Sequence, residues 1–394
     1  MGPSSFRGHF LPPKSTRFAA LGLLIALSTA GPLGALEHVT LRRGDQQQTI
    51  SGKVAVTAED GGLLLMTVDG TLWTIEPNEL ITRKDDQQPF HPLSRDELAK
   101  QMLSELPAGF EVYQTHHYLI CHNTSRDYAA WCGALFERLY KAFTNFWIRK
   151  GIKLHDSEFP LVAIIFNSRD SYAKFAQAEL GSKAPSVVGY YSLRSNRVTM
   201  YDLTGMESLR VAGDRRGSAA QINQMLAQPA AEQVVATIIH EATHQIAFNS
   251  GLQTRFADIP LWISEGLAVY FETPDLQSAK GWRTIGAVNT SRLERFREYL
   301  PVRPSTSLKT LISDDKRMRD ARAALDAYAE AWALNYYLIR HHPKQYLAYL
   351  QMLSEKGPLI WDDPQARIKE FQAAFGDNLG QLDADFLRQM QKVR

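Results

Sequence analysis

This sequence has little cysteine, no large excess of one sign of charge and few long apolar runs. Two cysteines in 394 residues are too few for a disulfide framework or a cysteine-based metal cluster. A formal net charge of +2, without a long basic run, gives no footprint for nucleic acid. Beyond the N-terminal region, no apolar segment reaches the length of a membrane span. These absences indicate a globular protein with a mixed surface, and 44% hydrophobic residues suffice for a sizeable core.

The N-terminal segment has the layout of a secretory signal. Basic residues precede an apolar stretch, Phe18 to Ala30, that ends in small residues. We expect residues 1–30 to be a signal peptide, cleaved near Ala30 or Ala35. The mature protein is then exported, periplasmic or extracellular, with no stable membrane span. An uncleaved anchor is the alternative, because the basic region is long.

The stretch from Val234 to Phe271 carries the clearest pattern for chemistry. It predicts two helices joined by a short loop, and the first helix reads VVATIIHEATHQIAF. His240 and His244 lie one helical turn apart on one face, so both imidazoles can reach the same ion. In an HExxH motif two histidines hold zinc, and the glutamate, here Glu241, takes a proton from the water that the metal activates. A His/Glu cluster satisfied without an ion is the alternative.

A third ligand decides the subclass of such a metal site. The extended motif HExxHxxGxxH requires glycine and histidine where this chain has Ala247 and Ser250, which excludes a metzincin. Glu265, on the second helix in the string WISEGLAVYFE, is the candidate third ligand. Asp258 and Glu272 are rivals in less suitable contexts. A capping or solvent-facing carboxylate is the alternative for Glu265.

The second helix resembles a known peptidase segment, Trp-x-x-Glu-Gly-x-Ala of the gluzincins, in which the Glu is the third zinc ligand. The strings GYYSLRSNRVTMYD, HEATHQIAF and ADIPLWISEGLAVYFE are together similar, in order and spacing, to a secreted bacterial group of the peptidase-MA-like superfamily. The resemblance covers residues 108–394 approximately. It implies a zincin-like fold, a peptide or protein substrate, Zn²⁺ held by His240, His244 and Glu265, and Glu241 as general base.

The resemblance also assigns roles to two segments outside the motif. In zincin-like peptidases an edge strand before the metal helix pairs with the substrate backbone, and the resemblance places Arg197 to Tyr201 there. An edge strand without a ligand is the alternative. The run YAEAWALNYYLIR resembles the helix behind the active site, where a Tyr or His steadies the oxyanion. Tyr328 is the candidate donor, and an ordinary core tyrosine is the alternative.

The order of the predicted elements indicates an α+β chain. Short β-favouring runs separated by glycines suggest a small β-barrel-like domain, with a hairpin turn at Asp69-Gly70. An alternation of strands and helices follows and predicts a mixed sheet covered by helices, one of which carries HExxH. The expected divisions are 1–30 signal peptide, 37–83 small β-domain, 84–108 linker and short helix, and 109–394 zincin-like peptidase domain.

Several local patterns complete the expected fold. Cys121 and Cys132 can either form a disulfide or remain buried free thiols, and the sequence leaves both open. Residues 204–228 have few apolar anchors and predict a mobile loop over the cleft. The other expected elements are a strand from Glu111 to Cys121, a helix from Tyr128 to Trp147, a buried strand from Pro160 to Phe166, a helix from Ser171 to Leu180 closed by Gly181, and two amphipathic helices in 343–394.

The expected function is that of a zinc-dependent peptidase. No motif that would bind a substrate amine is recognisable, which favours an endopeptidase. The alternative is a non-catalytic zincin-like scaffold, or a module that binds surface polymers through the β-domain. A zinc hydrolase acting on another bond is a third possibility, because metal and base do not name the scissile bond. The presence of Glu241 favours catalysis, because a decayed site would lose its base first.

Overall fold

The computed structural model describes residues 35–206, 219–273 and 285–394. Within these ranges the chain is α+β, with an N-terminal all-β region followed by a mixed sheet and a helical body. The expected signal peptide lies outside the described residues. None of the described helices combines the length and the apolar character needed to cross a membrane.

The N-terminal region is a single antiparallel sheet with the strand order β4-β3-β2-β1-β5. The expected hairpin at Asp69-Gly70 joins β3 to β4, and Gly70 takes a φ of +82° that favours glycine. In the part of the chain that the structure describes, β4 and β5 are the two edges of this sheet, and no pairing between them closes it into the expected barrel. The strands are β1 (Ala35–Arg43), β2 (Gln46–Thr57), β3 (Leu63–Thr67), β4 (Leu72–Ile75) and β5 (Leu80–Pro89).

Residues 84–89 belong to strand β5, whereas the sequence predicts a linker from residue 84 onwards. The polar residues 84–89 continue the strand, although nearly all of its side chains are exposed. Backbone pairing with β1 holds them, and cross-strand contacts such as Arg83 with Glu37 add to it. An edge strand needs no alternating apolar pattern, because main-chain hydrogen bonds rather than burial define it.

A second five-stranded sheet has the order β6-β7-β8-β10-β9. Strands β7, β8 and β10 run parallel, and the short strands β6 and β9 are antiparallel edges. The strands are β6 (Glu111–Gln114), β7 (Tyr118–His122), β8 (Leu161–Phe166), β9 (Gly189–Tyr191) and β10 (Arg197–Tyr201). As expected, β8 is completely buried.

Two expectations about this sheet are wrong. The expected strand from Glu111 to Cys121 is a hairpin, because the chain turns at Thr115, whose amide bonds the carbonyl of Tyr118. The segment Arg197 to Tyr201 is not an edge strand: β10 lies between β8 and β9, and the edge is β9. Strand order depends on pairing between distant segments, which local patterns do not encode.

The helices described by the structure confirm most local signals. Ser94 and Glu97 form a capping box on α1, and Gly181 closes α3 with a φ of +58°, as expected. The region 343–394 holds three helices where two were expected. The helices are α1 (Arg95–Glu105), α2 (Arg126–Arg149), α3 (Arg169–Leu180), α4 (Ala219–Leu226), α5 (Pro229–Asn249), α6 (Leu261–Phe271), α7 (Thr290–Tyr299), α8 (Ser307–Ser313), α9 (Lys316–Arg319), α10 (Ala324–His341), α11 (Pro343–Ser354), α12 (Pro364–Phe375) and α13 (Leu379–Met390).

The expected mobile loop at 204–228 is only partly a loop. Helix α4 occupies its second half, with Ile222, Met225 and Leu226 buried. Residues 207–218 lie outside the described part of the chain, so the expectation stays untested there. The two cysteines are free thiols, both buried, which decides between the alternatives left open by the sequence.

Helix α5 is held against the second sheet by buried amide side chains. Gln245 donates through Nε2 to the carbonyl oxygens of Val162, at 3.0 Å, and Asn196, at 2.8 Å. One turn later, Asn249 exchanges side-chain hydrogen bonds with Asn196. These bonds fix the rotation of α5 about its axis, because hydrogen bonds from an amide side chain form only within a narrow range of distances and angles.

Helix α6 packs closely on α10 because it carries a glycine at the contact. A Cβ added at Gly266 would lie 2.1 Å from Nδ2 of Asn335 and 2.7 Å from the carbonyl oxygen of Ala331. Asn335 also donates to the carbonyl oxygen of Trp262, at 3.0 Å. The residue next to Gly266 is Glu265, so this contact sets the position of that carboxylate.

Candidate metal centre

Three side chains from α5 and α6 converge in the core of the helical body. Nε2 of His240 lies 3.1 Å from Nε2 of His244 and 3.1 Å from Oε2 of Glu265. Nε2 of His244 lies 3.6 Å from Oε1 of Glu265. All three residues are buried, and Glu265 is completely inaccessible to solvent. The structure thus brings together the three ligands expected from the sequence, in a group that can hold a metal ion.

The spacing of these atoms fits a small divalent cation. Ligands bound at zinc distances with tetrahedral angles lie about 3.3–3.5 Å apart, and the three separations bracket that range. Oε1 of Glu265 is also buried without a hydrogen-bond partner. A buried carboxylate oxygen without a partner is costly, and a cation between the three groups would satisfy it. Two imidazoles and one carboxylate are a donor set that suits divalent transition metals, zinc among them.

Glu272, considered as a rival ligand, has a different contact. Nδ1 of His240 donates to Oε1 of Glu272 at 2.5 Å, on the side of the ring opposite Nε2. When a cation displaces the proton from Nε2, this bond keeps the remaining proton on Nδ1, so that the Nε2 lone pair faces the centre of the cluster. Sequence reasoning missed this role, because Glu272 lies at the C-terminal cap of α6 with no recognisable spacing to His240.

Asp258, the other rival ligand, belongs to a separate ion pair. Its carboxylate accepts from Nε of Arg367, at 2.9 Å, and from Nη2 of the same residue. Arg367 also binds Asp315 at 3.0 Å, and Asp315 accepts the backbone amide of Leu261 at 3.0 Å. This network anchors the first turn of α6 to helix α12. Asp258 therefore supports the helix that carries Glu265 and is not part of the metal group.

The charges in the cluster shift the pKa values in opposite directions. Burial disfavours the charged form of each group, but the two histidines outweigh it and hold the pKa of Glu265 well below its usual range. For His240, burial is outweighed by Glu265 and Glu272, which raise its pKa well above the usual value. For His244, burial dominates and lowers the pKa. The anionic carboxylate and the deprotonated Nε2 of His244 are the forms that bind a cation.

Glu241 occupies a buried position beside the metal group. Its Oε2 accepts the backbone amide of Tyr191, on edge strand β9, at 2.7 Å. Burial, with a smaller contribution from the charge of Glu265, raises the pKa of Glu241 to about 7. A carboxyl with a pKa close to neutral can both accept and return a proton at neutral pH. The structure therefore places a buried carboxyl that can exchange a proton near neutral pH close to His240 and Glu265.

Tyr328, the candidate donor on α10, lies next to Glu265. Burial, together with the charge of Glu265, raises the pKa of Tyr328 well above its usual value, so its hydroxyl stays protonated. The guanidinium of Arg292 on α7 lies over its ring, 5.8 Å from the centroid. The position suits a hydrogen-bond donor at the site, and the neighbouring Arg292 is a residue that sequence reasoning did not single out.

We predict that Glu272→Gln weakens metal binding. Glutamine keeps an acceptor for Nδ1 of His240 but removes the negative charge, and loss of such a supporting carboxylate lowers metal affinity by about 10–100-fold. Competition for zinc with a chromophoric chelator measures the change. Glu298→Gln, at an exposed ion pair with Arg295, is the matched control and should bind zinc like the unaltered protein. Equal affinities in the two variants would contradict the assigned role of Glu272.

Together, fold and site define an α+β protein with a buried group of two histidines and one glutamate that can hold a metal ion. Residues 234–360, from α5 to the loop after α11, match the family described as "Protein of unknown function (DUF1570)". The matched region covers about a third of the chain and includes all three candidate ligands and Glu241. No curated protein matches the chain.

Proposed function

We propose that this chain is a zinc-dependent peptidase of the gluzincin type, acting on peptide or protein substrates. The observation that supports it most is the convergence of His240, His244 and Glu265, whose facing atoms lie 3.1 to 3.6 Å apart, with Glu241 buried beside them. We also propose export to the periplasm or the extracellular space, as the N-terminal basic and apolar segment suggests.

In this proposal His240, His244 and Glu265 hold the metal. When bound there, zinc would supply a Lewis acid that polarises the scissile carbonyl and makes water acidic enough to be deprotonated near neutral pH. Glu272 orients the ring of His240 through Nδ1. The anionic carboxylate of Glu265 reduces the net charge of the centre.

Glu241 carries out the proton transfer. Its Oε1 and Oε2 are the only atoms of the residue that can take a proton, and Oε2 is oriented by the amide of Tyr191. The carboxylate accepts a proton from the attacking water and then donates it to the leaving amine. Tyr328, kept protonated by burial and by Glu265, supplies a hydrogen bond to the carbonyl oxygen as negative charge develops on it.

Strand β9 is the proposed backbone-binding edge, in place of β10. The amide of Ser192 donates to the carbonyl oxygen of Arg197 on β10, so this amide points into the sheet. Because successive residues of a strand point their amides to opposite sides, the amide of Tyr191 points away from β10, and it reaches Glu241. An extended peptide that pairs along this edge would lie next to the carboxylate of Glu241. Backbone pairing requires no free terminus, which agrees with an endopeptidase.

Cleavage of an unstructured protein tests the proposal. Casein should be cut by the zinc-loaded protein, cutting should stop after removal of zinc by a chelator, and added zinc should restore it. A protein that binds zinc but cuts neither casein nor a peptide library would instead support the non-catalytic scaffold. Hydrolysis of a non-peptide ester or amide alone would indicate a zinc hydrolase with another substrate class.

A further inference from the structure

The turn of the β3–β4 hairpin docks on the second sheet, close to the edge strand β9. The amide of Leu72 donates to the carbonyl oxygen of Arg194 at 2.8 Å. The carboxylate of Asp69, whose side chain is 8% exposed, accepts from Nη2 of Arg197 at 2.9 Å. Gly70 lies against the ring of Phe159 so closely that an added Cβ would be 3.0 Å away. The hairpin contact therefore combines a backbone hydrogen bond, an ion pair and close packing against an aromatic ring.

Arg255 joins this hairpin to two segments of the site. It lies in the loop between the metal helices α5 and α6. Nη2 donates to the carbonyl oxygen of Gly70 at 3.0 Å, and Nη1 donates to the carbonyl oxygen of Leu193 at 3.2 Å. One guanidinium thus connects the N-terminal sheet, the turn after β9 and the loop that leads to Glu265. Hydrogen bonds from a charged donor to half-buried carbonyls are stronger than neutral ones.

The turn that Arg255 holds leads directly to the site. Leu193 is two residues from Tyr191, whose amide binds Glu241. Strand β9 has three residues, and in the described part of the chain β10 is its only sheet neighbour. So short an edge strand frays readily unless other contacts hold it. Two hydrogen bonds hold this strand. Arg255 donates to the carbonyl oxygen of Leu193, and the hydroxyl of Tyr191 donates to the side chain of Asn196 at 2.7 Å.

We propose that Arg255 and the Asp69-Gly70 turn fix strand β9 beside Glu241, so that the N-terminal sheet is a positioning element for substrate. Arg255 touches no metal ligand and is a positioning residue. Loss of its hydrogen bonds lets β9 open locally, which weakens backbone pairing with substrate and leaves the metal group in place. The effect on substrate rests on the proposed peptidase function, whereas the effect on β9 does not.

Hydrogen exchange of the variant Arg255→Met tests the inference. Methionine keeps much of the apolar stem and removes every donor. Backbone amides in 189–193 should exchange at least about tenfold faster than in the unaltered protein, because two bonds from a charged donor are lost. Zinc content should stay unchanged. With a peptide substrate, KM should rise by about tenfold while kcat stays within about twofold, because a bound substrate strand holds β9, and with it the amide of Tyr191, in place.

Arg83→Met is the matched control, since Arg83 pairs with Glu37 on the N-terminal sheet, away from the hairpin contact. It should leave exchange in 189–193 and KM unchanged. If Arg255→Met does not fold, Asp69→Asn, which weakens the pair with Arg197, is measured in the same way. Unchanged exchange in 189–193 in a folded variant would overturn the inference. If the unaltered protein cleaves no peptide, the peptidase proposal fails, and exchange alone still decides the positioning role.

Discussion

Replacing Glu241 by glutamine should lower turnover by roughly three orders of magnitude, while the zinc content should stay that of the unaltered protein. The amide of glutamine can still accept the backbone amide of Tyr191 through its oxygen, so the contact with β9 persists. It cannot take up a proton from water at neutral pH. The change should therefore appear in kcat, with little change in KM, because the lost interaction acts in proton transfer.

A fall in folding stability does not explain such a loss. Burial raises the pKa of Glu241 to about 7, which shows that its charged form is disfavoured in this environment. A neutral amide avoids this desolvation cost, so the thermal midpoint of the variant should not fall. Glu232→Gln, at an exposed position in the first turn of the same helix, is the control and should keep full turnover. Full turnover of Glu241→Gln would refute the assignment of the base.

Replacing His240 by alanine should abolish zinc binding and, with it, cleavage. The substitution removes one of three ligands and also removes the partner that His240 provides to the buried carboxylates of Glu265 and Glu272. Breaking a buried charged pair costs about 3–5 kcal/mol, so the metal-free variant should also unfold at a lower temperature. Elemental analysis measures the zinc, and thermal unfolding with and without added zinc measures the linkage.

Thermal unfolding with and without added zinc distinguishes a metal-binding role of His240 from a purely structural role. Zinc should raise the thermal midpoint of the unaltered protein, because a ligand that binds only the folded state stabilises it. It should not raise the midpoint of His240→Ala. His91→Ala, at an exposed histidine, should respond to zinc like the unaltered protein. A His240→Ala variant that keeps its zinc would show that the ion binds elsewhere.

Local signals in the sequence predicted the metal helices well. The i, i+4 spacing of His240 and His244 depends only on helix geometry, and the structure confirms the helix and the convergence with Glu265. The glycine that closes α3 is likewise a local feature, and it is present. Each of these predictions required only residues within a few turns of one another.

The features that the sequence did not predict depend on distant segments. The position of β10 inside the sheet follows from its parallel pairing with β8, and nothing in the residues of β10 specifies that partner. The bond of Glu272 to His240 joins the end of α6 to the middle of α5. Strand β5 escaped notice because its exposed polar side chains carry no alternation, although its backbone pairs with β1 along its length.

Anomalous diffraction at the zinc absorption edge, from crystals of zinc-loaded protein, tests the central claim most directly. A single peak is predicted within about 2.0–2.2 Å of Nε2 of His240, Nε2 of His244 and a carboxylate oxygen of Glu265, with one ligand position left for solvent. A zinc-loaded crystal with no peak among these three side chains, or with its peak at other residues, would contradict the account.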